Sequence, residues 1–115
     1  MKKIDFYSKF APEPGIEYYS ESTAFIIWEG YFDELFRAIA KDIDYEQFPI
    51  EFKEYFDLSG WKDDDVSTII KPEATIKAIS LLDLEDLKVG KTFVDELIIF
   101  LKKRIDSIIK IREYW

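Results

Sequence analysis

The sequence predicts a mainly α-helical protein, a compact bundle of four or five helices, with room for a short strand at either terminus. Three observations predict it: apolar residues recur every three or four positions over 25–43 and again over 93–108, helix-starting residues precede both stretches, and Pro or Gly punctuates the chain between them. At 115 residues the chain fits one domain and is long enough to bury about two thirds of its unfolded surface.

Lys3 to Phe10 suits two structures, since Phe6, Tyr7 and Phe10 fall on one helix face while Ile4 and Phe6 alternate like a strand. Pro12, Pro14 and Gly15 end it. From a cap at Ser22 or Thr23, the apolar stripe Phe25, Trp28, Phe32, Leu35, Phe36, Ile39 and Ile43 predicts the first long helix. Gly30 falls inside it, which implies a close packing contact or a bend. Pro49 suits a first helical position, and the short helix after it turns Phe52, Tyr55 and Phe56 to one side before Gly60 stops it.

Val66 to Lys71 follows a polar stretch and leads to a helix starting at Pro72, with Ile76, Ile79 and either Leu81 or Leu82 inward. Leu84 to Gly90 reads as a turn region. Thr92 with Asp95 resembles a capping box, although Asp replaces the usual Glu or Gln, and it opens the stripe Phe93, Leu97, Leu101, Ile105 and Ile108. The tail Ile108 to Trp115 alternates and is able to leave the helix as an extended strand.

Composition narrows the chemistry. There is no His and no Cys, so the commonest general base, the Ser-His and Cys-His pairings, thiolate ligands and disulfides are all unavailable. Asp63, Asp64 and Asp65 do not open an EF-hand, because Thr68 stands where Gly is needed and Ala74 where a bidentate Glu is needed. Gly90-Lys91-Thr92 copies the end of a phosphate-binding loop, but the earlier Gly is replaced by Glu85. No enzyme activity, cofactor or metal is therefore expected. Carboxylates, Lys and Tyr are the acid-base groups left, and among 24 acidic residues some pair meets the spacing of a carboxylate pair by chance.

The net charge of −8 repels phosphate backbones and anionic headgroups, which argues against nucleic acid and membrane partners. Apolar runs such as Ala24 to Trp28 are far shorter than the roughly 20 residues a spanning helix needs, and the lack of Cys fits the cytoplasm. Charge is concentrated: Asp42 to Asp65 carries nine acids against two bases, whereas Lys91 to Trp115 carries six bases against four acids. Aromatic residues interleave with the central acids, a mixture suited to a cationic partner. The candidate partner-binding residues are Asp42, Asp44, Tyr45, Glu46, Glu54, Tyr55, Asp57, Trp61, Asp63, Asp64 and Asp65. An alternative of equal standing places Phe52, Phe56 and Phe48 in the core with the acids as a solvated face around them, while Tyr45, Tyr55 and Trp61, each with a polar handle, are better suited to an interface.

One family resemblance accompanies this reading. Tyr55-Phe56-Asp57 with Gly60-Trp61, Ser67-Thr68-Ile69-Ile70 with Pro72, and Ala78-Ile79-Ser80-Leu81-Leu82 carry it first. Thr92 through Lys103 and the ending Ile109-Lys110-Ile111-Arg112-Glu113 continue it. Over this C-terminal half the chain resembles the small immunity proteins of bacterial contact-dependent growth inhibition toxin systems. The resemblance implies a cytoplasmic protein that binds a cognate toxin C-terminal domain, basic and nuclease-like, and neutralises it by stoichiometric occlusion. It carries over no catalytic residue and says little about fold, since such proteins differ in architecture from one toxin class to another. A monomer is expected; the alternative is a helical structural or adaptor subunit that forms a homo-oligomer through Phe93 to Ile109.

Overall fold

A computed structural model of the chain describes residues 2–58, 67–83, 85 and 91–114. Its elements run β1 (Lys2–Phe6), β2 (Gly15–Ser20), β3 (Thr23–Trp28), α1 (Glu29–Asp42), α2 (Ile50–Asp57), β4 (Thr68–Ile70), α3 (Pro72–Ser80), α4 (Lys91–Lys103) and β5 (Ile109–Tyr114), with short 3₁₀ turns at Ser8–Phe10 and Tyr45–Gln47. The five strands form one mixed sheet in the order β1-β3-β2-β5-β4. The protein is thus an α/β fold, and the mainly helical bundle expected from periodicity is overturned by this sheet.

Much of the difference lies in one stretch. Thr23–Trp28 is a strand buried along nearly its whole length, and the helix begins only at Glu29. Phe25 and Trp28 continue the helical stripe by coincidence of spacing, whereas the unbroken apolar run from Ala24 to Trp28 is what a strand covered on both faces requires. Trp28 holds an extended backbone and occupies the N-cap position of α1 without a side-chain cap. Gly30 therefore stands at the helix start, and its role is close packing: an added Cβ would meet the Trp28 indole at 2.4 Å.

β2, between the first prolines and the hairpin, is the central strand. It pairs antiparallel with β3 through a loop at Glu21 and Ser22, where Glu21 takes a left-handed φ of 53°. Its other edge pairs antiparallel with β5, so the alternating tail does leave the helix and finish as a strand. β1 lies parallel to β3, which settles the ambiguous first segment as a strand followed by a 3₁₀ turn. Asp5 fixes that turn by accepting hydrogen bonds from the Tyr7 and Ser8 backbone N–H groups at 2.7 and 2.9 Å.

Strand alternation separates two faces. Ile16, Tyr18, Phe25, Ile27, Ile109 and Ile111 point into the main core, which also takes buried residues from all four helices. The opposite face carries the smaller cluster of Tyr7, Ala24 and Ile26, packed with Tyr19 and Tyr114. On that face Arg112 donates to the buried carboxylate of Glu17 at 2.7 Å, and its guanidinium lies 4.4 Å from the centre of the Tyr19 ring.

Of the broad apolar helix, Phe93, Val94, Leu97, Phe100 and Leu101 are core, but α4 ends at Lys103 and leaves Ile105 and Ile108 outside it. Arg104 closes the helix by donating to the Phe100 carbonyl at 3.1 Å. Thr92 sits within the first turn rather than ahead of it, and all of the expected turn region Leu84 to Gly90 except Glu85 lies outside the described residues. α3 begins at Pro72 as its fixed φ favours, with Ile79 and Leu82 buried and Leu81 exposed. Among the described residues no helix is long and apolar enough to cross a membrane.

Candidate partner-binding surface

The acidic, ring-rich segment is a tight connection between two helices. α1 ends at Asp42, Ile43 and Asp44 are extended, and Tyr45–Gln47 forms a 3₁₀ turn closed by hydrogen bonds from Gln47 N to Asp44 O and from Phe48 N to Tyr45 O. Pro49 then takes the extended N-cap position of α2, its carbonyl accepting from Phe52 and Lys53. A connection this short brings Tyr45 back onto α2. Its hydroxyl donates to the Asp57 carboxylate, 2.8 and 2.9 Å from the two oxygens.

Rings fill the angle between the elements. Tyr45 meets Phe48 and Phe56 at centroid separations of 5.6 and 5.5 Å, and Phe36 of α1 stands 6.2 Å from Phe56. The Lys53 ammonium lies 5.2 Å above the Tyr45 ring and reaches the Glu46 carbonyl at 3.4 Å. Phe48 is buried beneath, but Tyr45 remains 40% and Phe56 53% exposed, with Ile50 and Leu58 also exposed nearby in sequence. The hydrogen bond to Asp57, then partial desolvation and the charges of Asp57 and Glu46, raise the pKa of the Tyr45 phenol. The ring thus stays neutral and keeps its proton as a donor.

The predicted residues divide among several environments. Asp42, Asp44, Tyr45, Glu46 and Asp57 are exposed along this connection, and Tyr45 and Asp57 touch. Glu54 is half-buried and accepts from Thr68 Oγ1, which fastens α2 to β4. Tyr55 is not an exposed ring. It is buried against Phe32 and Phe36, and its hydroxyl donates to Asp33 Oδ1 at 3.0 Å. Burial first and Asp33 second push its phenol pKa far up. Trp61, Asp63, Asp64 and Asp65 lie outside the described residues.

Phe56 is half exposed, against the alternative that puts it in the core with Phe48 and Phe52. The buried positions of α2 are Glu51, Phe52 and Tyr55, whose directions cluster on one side at about 100° per residue, leaving Phe56 at the margin. Glu51 holds the core side of α2, so a face inferred from apolar residues alone leans towards Phe56. Phe36 likewise joins the rings because Ile39 and Leu35 hold the core side of α1.

Among the described residues, no group of carboxylates is placed to hold a metal ion. The chain matches no protein-family model, no curated protein and no solved structure. What the surface offers is physical recognition: half-exposed rings for apolar contact, and carboxylates for cations.

Proposed function

We propose that the chain is an immunity protein that binds a basic toxin domain, nuclease-like in its charge, and neutralises it in the cytoplasm by stoichiometric occlusion. The observation that carries this reading is the pairing of exposed Tyr45 and Phe56 with the carboxylates Asp42, Asp44, Glu46 and Asp57 along one helix–turn–helix connection. Opposite fields would steer the encounter, and desolvated rings would slow dissociation. The resemblance of the C-terminal half to immunity proteins of contact-dependent growth inhibition systems points the same way. Packing of a helical subunit through Phe93 to Ile109 is less well supported, because that segment spends most of its apolar residues inside the chain's own core.

The test is to look for an exported toxin encoded beside this chain and to measure association with its C-terminal domain at rising salt. Combining Asp44→Lys, Glu46→Lys and Asp57→Lys should slow association by about tenfold or more at low salt, while a Phe56→Ala change should act mainly on dissociation. An association rate indifferent to both salt and charge reversal would count against the proposal.

A further inference from the structure

One acid of the central segment never reaches the surface. Glu51, at the start of α2, is 0% exposed. Its Oε2 accepts from Thr75 Oγ1 of α3 at 2.7 Å and lies 3.5 Å from the Tyr18 hydroxyl of β2. Its Oε1 is buried without a hydrogen-bond partner among the described residues. Among the described residues, the groups that act on it are the hydroxyls of Thr75 and Tyr18, its own backbone N–H and the carboxylate of Glu54 one turn on, and none of them is a cation.

An ionised carboxylate in this place leaves one charged oxygen bare in the core, faced by a second acid. The neutral acid avoids that charge and keeps the Thr75 bond, so the proton belongs to the packed arrangement. Three elements converge here: α2, the central strand β2, and α3. The carboxyl is therefore a junction between the sheet and the helix that bears Glu54, Phe56 and Asp57.

We infer that Glu51 is a proton-operated latch, whose protonated carboxyl seats α2 against β2 and α3 and whose ionisation loosens α2 together with the rings and acids it displays. The inference concerns the seating of α2 and needs no partner, so it stands or falls apart from the partner-binding reading; only its consequence for binding rests on that reading.

Burial is the largest influence and lifts the Glu51 carboxyl from its ordinary 4.5 to about 7, against the lowering effects of the Thr75, backbone and Tyr18 hydrogen bonds. The folded form then holds this proton more tightly than the unfolded chain. Its contribution to stability is complete below pH 4.5 and is lost as pH rises through about 7.

Three measurements on the full chain test the latch: ¹³C NMR titration of the Glu51 side-chain carboxyl, denaturant unfolding of wild type and Glu51→Gln from about pH 5 to 8.5, and amide exchange of Phe52 to Asp57 corrected for intrinsic rates. The carboxyl should titrate near neutrality. The folded-to-unfolded ratio of wild type should fall, relative to Glu51→Gln, by on the order of 100-fold across that range. Exchange of α2 should quicken with pH in wild type and stay level in the variant. Titration in the ordinary carboxylate range, parallel stability profiles, or α2 protection that ignores the loss of the proton would each overturn the inference. If Glu51→Gln does not fold, the titration and the wild-type exchange profile decide the matter alone.

Discussion

Replacing Gly30 with Ala should destabilise this protein, although the helix preference of the two residues argues the reverse. Gly30 is the second residue of α1, and in a helix interior Ala is favoured over Gly by about 0.8–1 kcal/mol, less near an end. A Cβ at this position would stand 2.4, 2.5 and 2.6 Å from three carbons of the Trp28 ring, far inside van der Waals contact. The indole is not free to swing away. It lies 4.3 Å from Phe10 at an interplanar angle of 5°, and it meets Tyr31 edge-on at 5.4 Å. Losing such ring pairs costs about 0.5–1.5 kcal/mol each, and forced overpacking costs about 1–3 kcal/mol. The net effect of Gly30→Ala is then a loss of about 1–2 kcal/mol.

In a Trp28→Ala background the obstacle is gone, and the same substitution should stabilise by up to about 1 kcal/mol. Urea unfolding followed by far-ultraviolet circular dichroism suits the cycle, because it does not depend on the emission of the altered tryptophan. A Gly30→Ala variant more stable than wild type would refute the claim that the Phe10–Trp28–Tyr31 stack pins the indole. So would a substitution effect of the same sign in both backgrounds.

The orientation of α2 predicts opposite outcomes for its two phenylalanines: Phe52→Ala, in the core, should cost about 3–5 kcal/mol, and Phe56→Ala, at the margin, about 1 kcal/mol or less by thermal unfolding. Comparable losses would mean that the helix is rotated from the face described. On the other side of the sheet, Arg112→Leu leaves the buried Glu17 carboxylate without its 2.7 Å partner. Because the guanidinium is about half exposed, the loss should be about 1–2 kcal/mol, below that of a fully buried pair. Adding Glu17→Gln should restore part of it; a double variant worse than Arg112→Leu alone would show that the carboxylate was not the source of the cost.

The elements legible in the sequence are those whose signals are local. Pro72 starts α3, the stripe from Phe93 to Leu101 is core, and the alternation of Ile109, Lys110, Ile111 and Arg112 is a strand. The sheet was illegible because its pairings are not local: Glu17 meets Arg112 across 95 positions, and nothing in either neighbourhood announces the other. At the strand–helix junction two periods overlap, since Phe25, Trp28 and Phe32 keep helical spacing while the backbone changes from extended to helical at Trp28. In the candidate surface, Tyr45 and Asp57, singled out by the interleaving of acids and rings, are exposed and touch, but a polar handle proved a poor guide to exposure. The Tyr55 hydroxyl finds Asp33 inside the fold, while Phe56, with no polar atom in its side chain, lies half in solvent. Glu51 marks the deeper limit, because an acid on a core face breaks the pattern from which the face is inferred.

The position of β5 has a bearing on how the molecule is made. It is the strand wedged between β2 and β4, so the chain must leave the ribosome as far as Tyr114 before the second edge of β2 and the inner edge of β4 are paired. Until then the hairpin of β2 and β3 shows a bare edge and β4 has nothing to join. The same vacancy makes the protein a candidate for splitting: a chain cut ahead of Ile109 should remain unsealed until a separate peptide bearing Ile109 to Tyr114 threads into the gap and restores the sheet in trans.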